Sequence, residues 1–375
     1  MFNVESTKRI GLIVFGVGKG HLTQANTMYK ILTRKIQRDV PIVIIFSNDE
    51  DCTDLAEYAF SKAPIKIVRI KSSADTVHNV PKLLLHSIYY LFFTTKAIFD
   101  EMEDIYGVQI WMNFFAPVRQ TRRTCIHISH QVNLDSILVD LAMLFISGTF
   151  VSLHHPCKRA KVKHTISTLI DEEKIDRIDS RSKLIICYAV SGDDLFEMLC
   201  NIARNHKDFH FVYFSPKKPD LTLDNVAWFK PNFNHFREHL KRCLAVLCTS
   251  GNQLIQECVL NKIPCAIIPA HRNHFEQRRN FEEYISRGWA TELNSNLNIG
   301  QLCIDHIRVC KAYKEIQDML LDREQIIANI LTDSISKNSS LSQKHFSTRF
   351  IFQLMGLWVL LLTVISIFFF IYNYL

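Results

Sequence analysis

The chain has no aromatic-interleaved basic block, no zinc-finger spacing and no RNA-binding signature. Its formal charge of +7 is spread along the sequence rather than concentrated. That argues against nucleic acid as a partner and suits anionic lipid surfaces or phosphate-bearing substrates. No signal-peptide pattern opens it, because apolar Ile10–Phe15 is short and runs straight into a glycine loop. A disulfide framework is missing too. The 11 cysteines are odd in number and have no short repeating spacing. Cys187, Cys200, Cys243, Cys248, Cys258 and Cys265 mostly occupy apolar segments and read as reduced core thiols of a cytosolic protein.

Charge is also missing from Phe350 to Leu375, where only Gln353, Thr363 and Ser366 are polar deep in the run. An apolar stretch of this length suffices to cross a hydrocarbon core of about 30 Å as a helix. Lys344, His345 and Arg349 precede it and nothing positive follows. Positive charge stays on the cytoplasmic side, so the sequence predicts a C-terminal anchor, residues 350–372, with the globular part facing the cytosol. Ser336–Thr348 is rich in Ser, Lys and Asn and reads as a stalk, residues 336–349.

What remains is enough for two domains, and hydrophobic residues make up 48% of the chain. Ile10–Phe15 reads as a buried parallel strand. Gly16, Gly18 and Gly20 follow, then Leu22, Ala25, Tyr29, Leu32 and Ile36 at helical spacing, then the strand Val40–Phe46. This is a βαβ opening. Strands are also expected at 65–70, 109–114 and 124–128, and long apolar stretches at Val80–Glu101 and Ser136–Phe150. The charged segment 157–183 reads as a linker. A second series then starts, with strands at 184–190, 209–214, 226–229, 244–248 and 264–269. Its helices lie near 195–202, 236–243, 252–260 and 275–287, the last stopped by Gly288. The expected class is α/β, with Rossmann-like domains at 1–156 and 184–335 facing a cleft.

Two segments carry chemistry. In Gly16-Val-Gly-Lys-Gly-His-Leu-Thr-Gln-Ala25, glycines let the backbone approach a ligand and the following helix offers N–H groups to an anion. The pattern is not the dinucleotide fingerprint, since no third glycine stands at the usual place. His21 lies at the helix start, where the dipole disfavours its protonated form; a neutral imidazole in a cleft can take a proton from a hydroxyl. A loop histidine that only caps the helix is the plainer alternative. The second segment runs from Thr249-Ser-Gly-Asn-Gln253 through Glu257 and Ile263-Pro-Cys-Ala-Ile-Ile-Pro269 to Glu276-Gln277. Ser250 and Gly251 can offer amides to a phosphate, Glu257 can accept ribose hydroxyls, and Glu276-Gln277 can bond sugar hydroxyls. A solvated helix carboxylate and ordinary helix-start electrostatics are the alternatives for the two glutamates.

Together these segments resemble GT-B glycosyltransferases, in particular the glycosyltransferase family 28-like group, and more distantly the bacterial lipid II N-acetylglucosaminyltransferase and the UDP-glycosyltransferases. The resemblance is sharp only at the two segments. It implies a GT-B fold that binds a nucleotide-sugar donor, such as a UDP-sugar, with no metal and no cofactor. It implies His21 as base, and Gly18, Gly20, Ser191, Ser250, Gly251, Asn252, Glu257, Glu276 and Gln277 as donor-side residues. With the anchor, it implies a membrane-associated, lipid-linked acceptor. The sequence departs from the group at Val17, where an acid is common, and at Thr249-Ser250, which replaces His-Gly or Ala-Gly. A sugar-nucleotide epimerase of the same fold and an inactive scaffold that recruits a partner transferase remain open. His154-His155 and His271/His274 lack the partners a metal site needs, and Asp193-Asp194 reads as helix capping. Val80–Phe99, with Tyr89, Tyr90, Phe92 and Phe93, reads as a buried helix or as an interfacial patch.

Overall fold

A computed structural model describes residues 10–15, 19–35, 42–47, 60, 65–69, 108–113, 124–129, 140, 143, 146, 148–172, 175, 183–189, 193–215, 217–220, 223–269, 275–304 and 306–338. Short β-branched and aromatic runs bounded by polar turns form two parallel sheets. The first contains β1 (Gly11–Phe15), β2 (Ile42–Ser47), β3 (Ile65–Arg69), β4 (Val108–Met112), β5 (Thr124–Ser129), β6 (Thr149–Leu153) and β7 (Val162–Ile166), in the order β3-β2-β1-β4-β5-β6-β7. The second contains β8 (Leu184–Tyr188), β9 (His210–Phe214), β10 (Val226–Phe229), β11 (Ala245–Thr249), β12 (Cys265–Ile268) and β13 (Thr291–Glu292), in the order β10-β9-β8-β11-β12-β13. Each order reverses beside the sheet's first strand. In open α/β sheets that reversal opens a crevice at the carboxyl ends of the strands.

The described helices are α1 (Lys19–Lys35), α2 (Asp193–Asn205), α3 (Phe233–Leu240), α4 (Asn252–Leu260), α5 (Phe275–Ser286), α6 (Ile299–Ile304) and α7 (His306–Asn338). The second sheet is buried on both faces. Ile186, Val246 and Ile267 pack with Ile255, Tyr284 and Trp289 on one side, while Ile185, Leu247 and Ala266 pack with Leu199 and Ile202 on the other. This alternation is the strand period of two. Gly288, at φ +70°, ends α5, and the Trp289 amide donates back to the Tyr284 carbonyl at 2.9 Å. Both are features of a glycine C-terminal turn.

Five described elements have no counterpart in the sequence expectation, namely β6, β7, β13, α6 and α7, and two of them change how the chain is divided. β7 lies inside the segment 157–183 that reads as linker, and it is an edge strand of the first sheet. Lys163 and His164 interrupt its apolar pattern, as edge strands permit. α7 has no counterpart in the expectation. Its Ala312, Ile316 and Leu320 join the second core, whereas Ile327, Ile330 and Leu331 join the first, beside Leu12, Met28 and Ile126. Between them Arg323 is 1% exposed and donates to the Ile170 carbonyl at 2.8 Å and to Glu172. The helix thus ties both cores to the irregular segment at 170–172 that connects the two units.

Among the described residues no helix is long and apolar enough to cross a membrane. The expected stalk 336–349 begins too early, since α7 continues as helix through Asn338; the rest of the stalk, the expected anchor 350–372 and the helix candidate Val80–Phe99 lie outside the described residues.

Candidate functional site

α1 begins at Lys19, at the carboxyl edge of β1, and α4 begins at Asn252, at the carboxyl edge of β11. The two helix starts face each other. A Cβ built on Gly20 would lie 4.0 Å from the Cβ of Gln253. No side chain caps α4, whose N-cap is Gly251 in extended conformation. A Cβ on Gly251 would meet nothing within 4 Å, so the helix end opens onto free space. Helix starts leave backbone N–H groups without intrahelical partners and carry the positive end of the dipole. Two such ends side by side suit an anion with more than one charge, such as a diphosphate.

His21 is the third residue of α1 and is half-buried. One turn on, Gln24 is 5% exposed and fixed on both sides. Its Oε1 accepts from Asn113 Nδ2 at 3.2 Å and its Nε2 donates to His154 Nε2 at 3.0 Å. Asn113 directly follows β4 and His154 directly follows β6, both in the left-handed region at φ 66° and 71°. Each such backbone is held only where surrounding contacts over-determine it. Sequence reasoning read 109–114 as continuous strand and missed this corner; the asparagine, tolerant of that conformation, was the available signal.

The Ser250 and Gly251 amides do not point outward as the sequence suggested. Ser250 N donates to the Ile268 carbonyl at 2.9 Å and Gly251 N to the Thr249 carbonyl at 2.7 Å. The Ser250 hydroxyl donates to the Gln277 carbonyl at 2.7 Å, so the serine fastens α5 to the α4 loop. Asn252 likewise turns inward: it is 6% exposed and its Oδ1 accepts from the Tyr284 hydroxyl. The backbone N–H groups left over at this helix start are therefore the later ones of the first α4 turn.

Glu257 lies on α4 one turn beyond Gln253, which donates to its Oε1 at 2.9 Å. Its side chain keeps some solvent exposure. Surrounding protein nonetheless desolvates the carboxyl and pushes its pKa above the usual range, against the pull of Gln253 and Arg237. Gln277 is 8% exposed in the first turn of α5. Glu276 is placed in that same turn, and its side chain lies outside the described residues, as do Gly18 and Ser191.

His154 and His155 are not arranged as metal ligands; they contact different elements. His155 Nε2 donates to Asn280 Oδ1 at 3.0 Å, and its Nδ1 lies 2.5 Å from Glu283 Oε2. Burial alone would raise Glu283, but His155, Arg287 and Arg279 outweigh it and hold the carboxyl below its ordinary value. No group of three potential metal-binding side chains occurs among the described residues. Asp49-Glu50-Asp51, just after β2, has the form of an Asp-x-Asp metal triplet and lies outside them. The expectation of metal-free chemistry therefore rests on the resemblance alone. Ten cysteines are described, none in a disulfide, and the six assigned to apolar segments are all buried.

No protein-family model matches the chain, and no curated protein matches it in sequence. Solved structures do match it. The glycosyltransferase SnogD from Streptomyces nogalater has a TM-score of 0.59 at 10% identity, over 88% of this chain and 100% of that one. An Arabidopsis thaliana protein solved with UDP-L-rhamnose has a TM-score of 0.59 at 10% identity, with the same coverage. MurG from Acinetobacter baumannii has a TM-score of 0.51 at 11% identity, over 86% and 99%. At this identity the likeness is one of fold: the chain has the GT-B architecture of two Rossmann-like units.

Proposed function

We propose that the protein is a glycosyltransferase that moves a sugar from a nucleotide-sugar donor, a UDP-sugar, to a membrane-associated, lipid-linked acceptor. The observation that carries the reading is the meeting of the α1 and α4 starts, with open space before Gly251. A nucleoside diphosphate is the leaving group such a crevice can stabilise, through aligned amides and dipoles aimed at the developing charge. The donor lies on the second unit, its ribose against Glu257 and its sugar against Glu276 and Gln277. His21, on the opposite wall, takes the proton of the attacking acceptor hydroxyl. Gly20 keeps the first wall close to the diphosphate, and Gly18 and Ser191, which lie outside the described residues, complete the donor-side set that the resemblance implies.

The likeness to the glycosyltransferase SnogD and to the Arabidopsis protein solved with UDP-L-rhamnose supports this reading. The uncharged run Phe350–Leu375, preceded by Lys344 and Arg349, supports a single C-terminal anchor with the cleft on the cytosolic side. The deciding experiment uses the full chain in detergent micelles or lipid nanodiscs. UDP and a panel of UDP-sugars are titrated calorimetrically, and transfer to a lipid extract is followed by mass spectrometry. Binding of UDP and a sugar-bearing lipid product, with transfer lost and UDP binding kept in His21→Ala, is the expected result. An epimerised UDP-sugar without acceptor would replace transferase by epimerase. Absence of any nucleotide binding would leave only a scaffold role.

A further inference from the structure

We infer that the dipeptide His154-His155 is a positioning link that fixes the acceptor-side helix start relative to the donor-side loop. The inference deepens the proposed cleft and rests on that reading for its purpose, but its geometry stands on its own. The two side chains diverge from the end of β6. His154 accepts from Gln24 of α1, which Asn113 holds from the other side. His155 bonds Asn280 of α5 and contacts Glu283. Asn280 in turn donates from Nδ2 to the Ser250 carbonyl at 3.0 Å, at the mouth of α4. An unbroken line of polar contacts thus runs from the second turn of α1 to the loop before α4, through one peptide bond.

Burial makes this line a constraint rather than decoration. Gln24, Asn113, His154, His155, Ser250 and Asn280 are each 6% exposed or less. Water cannot substitute for a lost partner at such sites, so each group holds its neighbour. The Asn113 Oδ1 atom is buried without a hydrogen-bond partner among the described residues. That unmet acceptor and the two left-handed residues are costs retained at one corner, and such costs concentrate where geometry matters to function. The line holds His21 within reach of the donor because His21 and Gln24 occupy neighbouring positions on one helical face. These residues are positioning residues; none need touch substrate.

The test is hydrogen exchange on the full chain without nucleotide, so that its failure is distinct from a failure of glycosyl transfer. Asn280→Leu cuts the line on the α5 side. It should speed exchange of α1 amides near Gln24 about tenfold, the effect of one net hydrogen bond in a local opening. Gln24→Leu should reciprocally loosen the first turns of α5. Gln24→Glu keeps an acceptor for Asn113 and for a protonated His154 nitrogen, and should restore the remote protection. Asn225→Ala removes three bonds to the Ala203, His206 and Phe209 carbonyls, away from the line, and should leave both regions unchanged. Exchange that rises only on the mutated side would overturn the link. So would a uniform rise over both cores matched by Asn225→Ala.

Discussion

Replacing Glu257 with glutamine should make the ligand-free protein more heat-resistant while weakening its hold on UDP. Desolvation raises the Glu257 pKa in the folded chain, so the ionised carboxylate is less comfortable folded than unfolded. With a raised folded value, the penalty is absent below the ordinary carboxylate pKa of about 4.3 and complete once pH exceeds the folded value. Glutamine removes the charge and keeps the length, so it should raise the melting temperature at neutral pH and lose that advantage in acid. Binding should move the other way. Charge-assisted hydrogen bonds contribute about 1.5–3 kcal/mol, and Gln253 already occupies Oε1, leaving the other oxygen for a ribose hydroxyl. Loss of one such bond corresponds to a Kd increase of about 10- to 100-fold. Calorimetry with UDP and with its 2′,3′-dideoxy analogue separates the contact from general damage. The wild type and variant should differ for UDP and coincide for the analogue. An equal loss for both ligands, or a lower melting temperature at neutral pH, would refute the reasoning.

Arg323→Met should destabilise the chain by about 1–3 kcal/mol, the cost of a buried acceptor left without its partner, because the Ile170 carbonyl loses its donor while Glu172, 38% exposed, turns to water; urea unfolding followed by tryptophan fluorescence reads it. Gly148→Ala should cost more than about 2 kcal/mol in the same assay, since φ is +144° and the new Cβ would meet the Cys125 carbonyl at 2.6 Å and His127 Nε2 at 2.8 Å. Glu283 titrates below its ordinary value beside His155, so it stabilises the fold above the ordinary carboxylate pKa and loses that contribution as pH falls through the depressed value. Glu283→Gln should therefore be less stable than the wild type at pH 7, with the gap closing in acid denaturation.

Much of the second unit was legible because fully buried parallel strands announce themselves as short apolar runs. Leu184–Tyr188, Ala245–Thr249 and Cys265–Ile268 lie where such runs occur, and the glycine after α5 stands where the helix pattern stops. β7 was hidden because an edge strand needs apolar residues on one side only. α7 carries a usable stripe, Val309, Ala312, Ile316, Leu320, Ile327 and Ile330, but Arg323 falls within it and breaks the signal. At the site, the positions of helix starts could be read from local sequence. The inward turn of Ser250 and Asn252 could not, because their partners Gln277 and Tyr284 lie far along the chain. The His154-His155 link is of the same kind, since nothing local names Gln24 or Asn280 as its contacts.

The route of α7 also bears on the order in which the protein can be made. The first sheet is complete once Ile166 has been synthesised, yet its core also needs Ile327, Ile330 and Leu331. At translation rates of about 5–20 residues per second, that leaves a delay of roughly 8–30 seconds. During it, the apolar faces of Leu12, Met28 and Ile126 await their last covering helix. The amino-terminal half is therefore the part that waits longest for its full cover, although it is made first.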